Sequence, residues 1–236
     1  MSQEPRGAIA MAAFVGRRGD VDKSFVLLEE ARKNQPVIEI LPVALEALRL
    51  HRDKASAEKF KLLEEWVQSG LQDEANTQHI KMLLAEVYDL QGRYTDVIKT
   101  YKEVLASKDI TNFQRAQVQN NLAFIYALLK ENAADAVKMT NEAMQVMGPV
   151  SDLLDTRALA YLAVGKPKEA VADLQTAIAD APSGGKYFHL ALAEQQAGNL
   201  EGARAALAKS EELGANVNQL TELEKKSYNK LVAALK

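Results

Sequence analysis

Cysteine is absent from this chain of 236 residues, and glycine and proline are scarce. Without cysteine there is no disulfide, no thiolate nucleophile and no cysteine-ligated metal site. Twelve glycines and six prolines are too few for a fold with many hairpins. The abundance of Ala, Leu, Glu and Lys favours an all-α protein instead. A chain without cysteine also fits a reducing compartment, and we expect a cytoplasmic location.

An excess of either charge is also missing, since the formal net charge is −3. This balance opposes electrostatic binding to nucleic acid or to an anionic membrane. No apolar run is long enough to span a bilayer. The longest one near the N-terminus, residues 8–15, is short even for the core of a signal peptide.

The clearest local pattern lies in residues 151–182, which predict two helices joined by a tight turn at Gly165. Pro167 suits the first turn of the second helix, and Pro182 stops that helix. Small and large residues fall on i, i+3 and i+4 rows: Ala158, Tyr161, Ala170, Leu174 and Ala177. Two helices with so little core of their own must stack on neighbours.

The same pattern recurs along the chain, with turns at Gly19, His51, Gly92 and Gly198 and with one extra turn residue between 130 and 134. One solenoid with six repeats is predicted, over residues 5–36, 37–70, 76–109, 113–148, 151–182 and 184–214. A capping helix is predicted over 217–235, with Leu220, Leu223, Leu231 and Leu235 on one face. In the second repeat, Pro42 predicts a late helix start or a kink.

The alanine, aromatic and glycine positions of these repeats, with 33 to 35 residues between the later turns, resemble the tetratricopeptide repeat (TPR) family. The resemblance implies a right-handed α-solenoid of antiparallel helix pairs, a TPR-like superhelix with about 13 helices. It also implies a concave groove that binds peptides or proteins. The repeat itself has no catalytic residues, so we expect no enzyme activity.

The residues with catalytic or metal-binding chemistry are dispersed. His51, His79 and His189 are far apart, and none has a second ligand at i+4. We expect each of them at the surface or in the groove. Adjacent glutamates such as Glu64 and Glu65 diverge by about 100° on a helix and do not converge on one substrate atom. No metal, no cofactor and no catalytic site are predicted.

One stripe of residues on the first helix of each pair should line the groove. These residues lie 10, 6 and 3 positions before the turn residue, and further residues extend the stripe at the N-terminal ends of the helices. The candidate binding residues are His79, Met82, Glu86, Asp89, Gln117, Asn120, Asn121, Phe124, Asp152, Asp155, Leu159 and Phe188. Ala127, Leu162, Leu192 and Gln195 occupy further slots of the same stripe.

Three of these residues have two interpretations. Phe124 and Phe188 are candidate apolar anchors for a ligand, or they pack against adjacent repeats as core residues. Asn121 resembles the asparagine with which TPR proteins hold a peptide backbone, because its amide donates and accepts at once. It also fits an ordinary exposed face.

Four of the stripe residues are acidic: Glu86, Asp89, Asp152 and Asp155. Some TPR proteins clamp a C-terminal carboxylate with Lys and Arg on successive first helices, and no such basic pair is found here. The sequence therefore predicts a basic or neutral ligand.

The first helix is apolar nearly all round over residues 8–15, whereas a terminal repeat should have a polar outer face. One hypothesis is that the chain is the C-terminal part of a longer array, or that another copy covers this helix. The other is an ordinary alanine-rich helix.

We therefore predict a non-catalytic scaffold that binds another protein or peptide. The first alternative is the recognition or regulatory arm of a larger multidomain enzyme. The second is an RNA-binding helical repeat, since the 35-residue spacing permits it and residues 66–71 resemble a pentatricopeptide repeat. The negative net charge opposes the RNA alternative.

Overall fold

The computed structural model describes residues 5–72, 76–214 and 220–235. In these ranges all regular structure is helical, with thirteen α-helices and one short 3-10 helix. The predicted all-α fold class is confirmed. None of the described helices is both long and apolar enough to cross a bilayer.

The first compact unit spans residues 1–109. Its helices are α1 (Pro5–Arg17), α2 (Val21–Ala31), α3 (Val37–Leu50), α4 (Ala57–Gly70), α5 (Thr77–Leu90) and α6 (Tyr94–Ala106), with the 3-10 helix Arg52–Lys54 between α3 and α4. A continuous apolar core runs through α1 to α5. At its centre Trp66 is fully buried and stacks on Phe25, with 5.9 Å between the ring centroids.

The second compact unit spans residues 110–236. It contains α7 (Asn112–Leu129), α8 (Ala133–Met147), α9 (Ser151–Ala163), α10 (Pro167–Asp180), α11 (Gly184–Gln196), α12 (Leu200–Glu212) and α13 (Glu222–Leu235). The predicted capping helix therefore begins at Glu222, and residues 217–219 lie outside the described ranges.

Side chains just before several helices fix where those helices begin. Each accepts a hydrogen bond from the N–H three residues later, which satisfies a donor that has no partner inside the helix. These capping residues are Asp20, Ser56, Thr111, Ser183 and Asn199.

Small side chains let α9 and α10 approach closely, as the sequence predicts. Ala158, Ala170 and Ala177 are fully buried, and Leu174 fills the space beside them. Burying Leu174 stabilises the pair by about 2 kcal/mol. Ala193 of α11 joins the same cluster, so the apolar face of this pair is shared with its neighbour.

The turns between paired helices follow one hydrogen-bonding scheme. At Gly165 (φ +73°) the N–H donates to the carbonyl of Leu162, and the next N–H donates to the carbonyl of Tyr161. This left-handed helix ending suits glycine. Gly19, Gly92 and Gly198 end their helices in the same way. In the turn from α7 to α8 the equivalent residue is Lys130, with a φ of +56°.

Pro42 does not delay α3, so the predicted late start is wrong. The helix begins at Val37, five residues before the proline, which is exposed. The missing proline N–H costs one backbone hydrogen bond. Fully buried Ile40, Leu41 and Leu45 hold the helix on both sides of that gap.

Candidate functional site

The predicted groove residues of the first unit all lie on α5. His79 is exposed, and Met82, Glu86 and Asp89 are half-buried. Two of them pair with basic residues near the end of α3: Glu86 with Arg49 at 2.5 Å and Asp89 with Arg52 at 3.8 Å.

In the second unit, four predicted residues lie along α7. Gln117, Asn120, Asn121 and Phe124 are all half-buried. The Asn120 amide donates to the amide oxygen of Asn121 over 3.4 Å. The structure thus brings these four side chains together on one part of α7.

The two aspartates predicted on α9 are paired with α11. The Lys186 ammonium donates to Asp152 at 3.0 Å, and a ring nitrogen of His189 lies 2.8 Å from Asp155. Each of these two aspartates therefore has a basic partner inside the unit, and the basic or neutral ligand expected from the sequence stays a prediction.

Phe188 is a core residue and not an exposed anchor. It is fully buried in α11, and its ring meets that of Tyr228 edge-on, with 5.3 Å between centroids. The reason is α13, which covers the part of the stripe that Phe188 occupies. Of the two interpretations that the sequence leaves open, the structure supports the packing one.

His189 is also buried, contrary to the sequence expectation of a surface or groove residue. Its Nδ1 lies 2.8 Å from Asp155, and its Nε2 lies 3.1 Å from Glu224 of α13. Since both ring nitrogens face carboxylates, both carry protons and donate. Asp155, His189 and Glu224 form a ladder across α9, α11 and α13, which we call the histidine ladder.

Electrostatics keep this imidazole charged. Burial on its own lowers the pKa of His189, but the attraction of Asp155 and the hydrogen bonds to Asp155 and Glu224 outweigh it and raise the pKa to about 10. Burial likewise acts to raise the pKa of Glu224, but the hydrogen bond and charge of His189, with further bonds from Thr221, lower it below its usual value. An imidazolium that stays protonated at neutral pH cannot act as a general base.

An open pocket of about 310 Å³ remains at the far end of the stripe in the second unit. Its apolar lining comes from the last turns of α7, α9 and α11 and from α13: Ala127, Leu128, Leu159, Leu162, Leu192 and Leu231, with Ala163 and Ala234. Three of these, Ala127, Leu162 and Leu192, are further slots of the predicted stripe, and Leu159 is a predicted binding residue.

The polar residues of this pocket are Lys130, Gln195, Gln196, Ser227 and Lys230. Lys130 and Lys230 are exposed, and neither takes part in an ion pair found among the described residues. The sequence did not single out either lysine as a binding residue. The signal for Lys130 was its place at a turn where four other repeats have glycine.

No group of three His, Asp or Glu side chains is arranged to hold a metal ion in the residues that the structure describes. The pocket itself offers apolar contact with a polar, basic rim, which suits binding.

No protein-family model matches the sequence, and no curated protein matches it. Solved structures do match. A tetratricopeptide repeat protein from Parabacteroides merdae has a TM-score of 0.65 and 17% identity, over 98% of this chain and 86% of that one. BtubC (BKLC) from P. vanneervenii has a TM-score of 0.57 and 17% identity, over 91% of this chain and 92% of that one.

MamA from Desulfovibrio magneticus RS-1 is similar over 76% of this chain and 96% of that one, with a TM-score of 0.53 and 13% identity. At sequence identities this low, the three structural similarities show the fold alone. The chain has a TPR-type helical-repeat fold, and the family resemblance seen in the sequence is confirmed at that level.

Proposed function

We propose that this chain is a non-catalytic scaffold that binds a segment of another protein at the open pocket of the second unit. The observation that carries the proposal is the pocket itself. Three successive first helices and α13 leave an apolar hollow of about 310 Å³ that no described side chain of the second unit fills. Hollows of this size with a few polar groups are typical of binding sites.

Its position supports the same function. Four of its apolar side chains, Ala127, Leu159, Leu162 and Leu192, belong to the stripe of first helices on which repeat proteins of this type bind their partners. The half-buried Asn121 and Phe124 lie on α7, the helix that also supplies Ala127 and Leu128 to the pocket. We propose that they extend the binding surface along that helix, and that Met82 and His79 form a separate contact surface of the first unit.

A recognition arm of a larger enzyme would use the same pocket. This alternative therefore differs in the domains that are joined to the chain and not in the binding site. RNA binding is disfavoured by the net charge of −3.

The proposal is tested by selecting random dodecapeptides displayed on phage against the immobilised full chain. Wild type should enrich a consensus. Ala234→Trp fills the pocket from an exposed position of α13 and should lose that consensus. Ala233→Trp is the matched control, because Ala233 is exposed on the same helix but does not line the pocket.

If wild type enriches no consensus, or if Ala234→Trp keeps it unchanged, the pocket is not the binding site. The double variant Asn121→Ala with Phe124→Ala reports on the surface along α7. It should weaken binding of the enriched peptides while the peptide residue that enters the pocket stays the same.

A further inference from the structure

We infer that the pocket of the second unit recognises an acidic segment, in which a large apolar side chain enters the hollow and a neighbouring Asp or Glu meets Lys130 and Lys230. The inference rests on the proposed function, since it names the kind of ligand that the same pocket takes.

The charge at the pocket is the first argument. The two lysines approach from different elements, Lys130 from the end of α7 and Lys230 from α13. Among the described residues that line the hollow there is no carboxylate to neutralise them. A surface whose only formal charges are positive favours an anionic partner and disfavours a basic one.

The nearby carboxylates do not reverse this preference. Asp152 is paired with Lys186, and Asp155 is paired with His189 in the histidine ladder. Each of these aspartates therefore has a basic partner within the unit, whereas no ion pair of the two pocket lysines is found among the described residues.

The backbone of Lys130 is the second argument. It ends α7 in the left-handed conformation, and its N–H and that of Glu131 donate as the N–H groups of Gly165 and Lys166 do at the end of α9. Glycine adopts this conformation without strain, and a residue with a Cβ does not. A strained residue that is kept at a binding surface points to a use for its side chain, here an ammonium at the pocket.

The shape of the hollow indicates the apolar part of the ligand. Leu162 and Leu192 are half-buried and face a hollow of about 310 Å³, which is room for one large aliphatic or aromatic side chain. Because Lys230 comes from α13, the pair differs from a clamp of basic residues on successive first helices. It suits a carboxylate that lies beside the inserted side chain, in the interior of a segment.

The phage selection described above also tests the inference, through the charge of the peptide residues that it enriches. Wild type should enrich an aromatic or large aliphatic residue with Asp or Glu within two positions. Lys130→Gly combined with Lys230→Gln should keep the apolar preference and lose the acidic one. Lys168→Gln is the control, because Lys168 is an exposed lysine of the same unit that does not line the pocket.

A synthetic peptide with the enriched sequence and its Glu→Gln form then give the magnitude by fluorescence polarisation. Each single lysine variant should bind the acidic peptide roughly two- to fivefold more weakly, as expected for the loss of an exposed ion pair. Its affinity for the amide form of the peptide should be unchanged. Raising the salt concentration should reduce the difference between the two peptides.

The outcomes separate the two proposals. An enriched consensus that is basic or has no charge preference overturns the inference and leaves the scaffold function standing. An acidic preference that survives in the double lysine variant overturns it too, because other groups would then recognise the carboxylate. The absence of any consensus refutes the scaffold function itself.

Discussion

Lys130 differs from the equivalent residue of every other paired turn that ends with a positive φ, since those residues are glycines. A side chain in the left-handed region costs about 1–2 kcal/mol. Nothing in the turn compensates for this, because the hydrogen bonds are the same with glycine. Lysine at position 130 thus makes the folded chain less stable than glycine would. The ammonium of this lysine lies at the pocket.

Replacing Lys130 with glycine should stabilise the protein by about 0.5–1 kcal/mol, because the relief of backbone strain exceeds the added entropy of the unfolded chain. Urea denaturation should show the midpoint moving up with an unchanged slope.

Gly165→Ala is the matched variant, and it should destabilise the protein by about 1 kcal/mol. A Cβ at Gly165 would meet nothing within 4 Å, so its effect comes from the φ of +73° alone. If Lys130→Gly lowers the stability, the strain argument is wrong.

The sequence assigns residues to one helix face but could not say what covers that face. Leu159 lines the open pocket, whereas Phe188 on the same predicted stripe lies under α13. His189 was missed for the same reason. A usable signal existed, because Asp155, His189 and Glu224 are 34 and 35 residues apart, which is the repeat length.

At the scale of elements, α13 is fixed to α11 by two kinds of contact. Tyr228 and Leu231 pack in an apolar cluster with Phe188. Glu224 accepts from His189 and from the N–H of Thr221, while its own N–H donates to the Thr221 hydroxyl. One carboxylate therefore both begins the helix and ties it to the neighbouring pair.

The histidine ladder makes the attachment of α13 pH-dependent. The folded state raises the pKa of His189 from 6.5 to about 10, so the stabilisation is complete below about pH 6.5, declines above it and is lost beyond about pH 10. Thermal unfolding between pH 6 and pH 10 should show this decline, and the protection factors of the α13 amides in hydrogen exchange should fall across the same window.

His189→Gln is the control for that window. Removing the cation leaves the buried carboxylate of Glu224 and the half-buried carboxylate of Asp155 without their cationic partner, and the loss should be about 3 kcal/mol at pH 6. The variant should also lack most of the decline between pH 6.5 and 10. A decline of equal size in both proteins would contradict the role of the histidine ladder.

The helices themselves were largely readable from the sequence. Glycine turns, proline at the start of α10 and the alternation of small and large residues gave most of the pairs. The late start predicted at Pro42 is wrong because buried neighbours on both sides of the proline outweigh one missing hydrogen bond, while the alternative of a kink stays a prediction. Tertiary packing of this kind is not visible in a local pattern.

At the scale of the whole molecule, the all-α repeat fold follows from the periodic pattern and is confirmed. The chain forms two compact units, each with its own buried residues. Ligand preference could not be predicted in the same way. It depends on which charges pair with each other, and the pairs join residues from different repeats.

The outer face of α1 carries two large apolar side chains, Met11 at 51% and Phe14 at 54% exposure. We predict that this face self-associates, because contiguous exposed apolar residues are typical of contact surfaces. Sedimentation velocity over a range of concentrations should show a shift to larger species, and Phe14→Glu should abolish it. A monomer at all concentrations would contradict the prediction and leave an alanine-rich helix as the better description.

The ion pairs between repeats have a consequence for how the array can be rearranged. Asp152 finds Lys186, and Asp155 finds His189, only when the repeats of α9 and α11 are neighbours. Arg49 and Glu86 tie α3 to α5 in the same way. Repeats with an interchangeable apolar interface could be permuted or duplicated freely. Here the two junctions carry different ion pairs, so exchanging their repeats would leave buried Lys186 and His189 without these partners, and the order of the repeats is part of what makes the array stable.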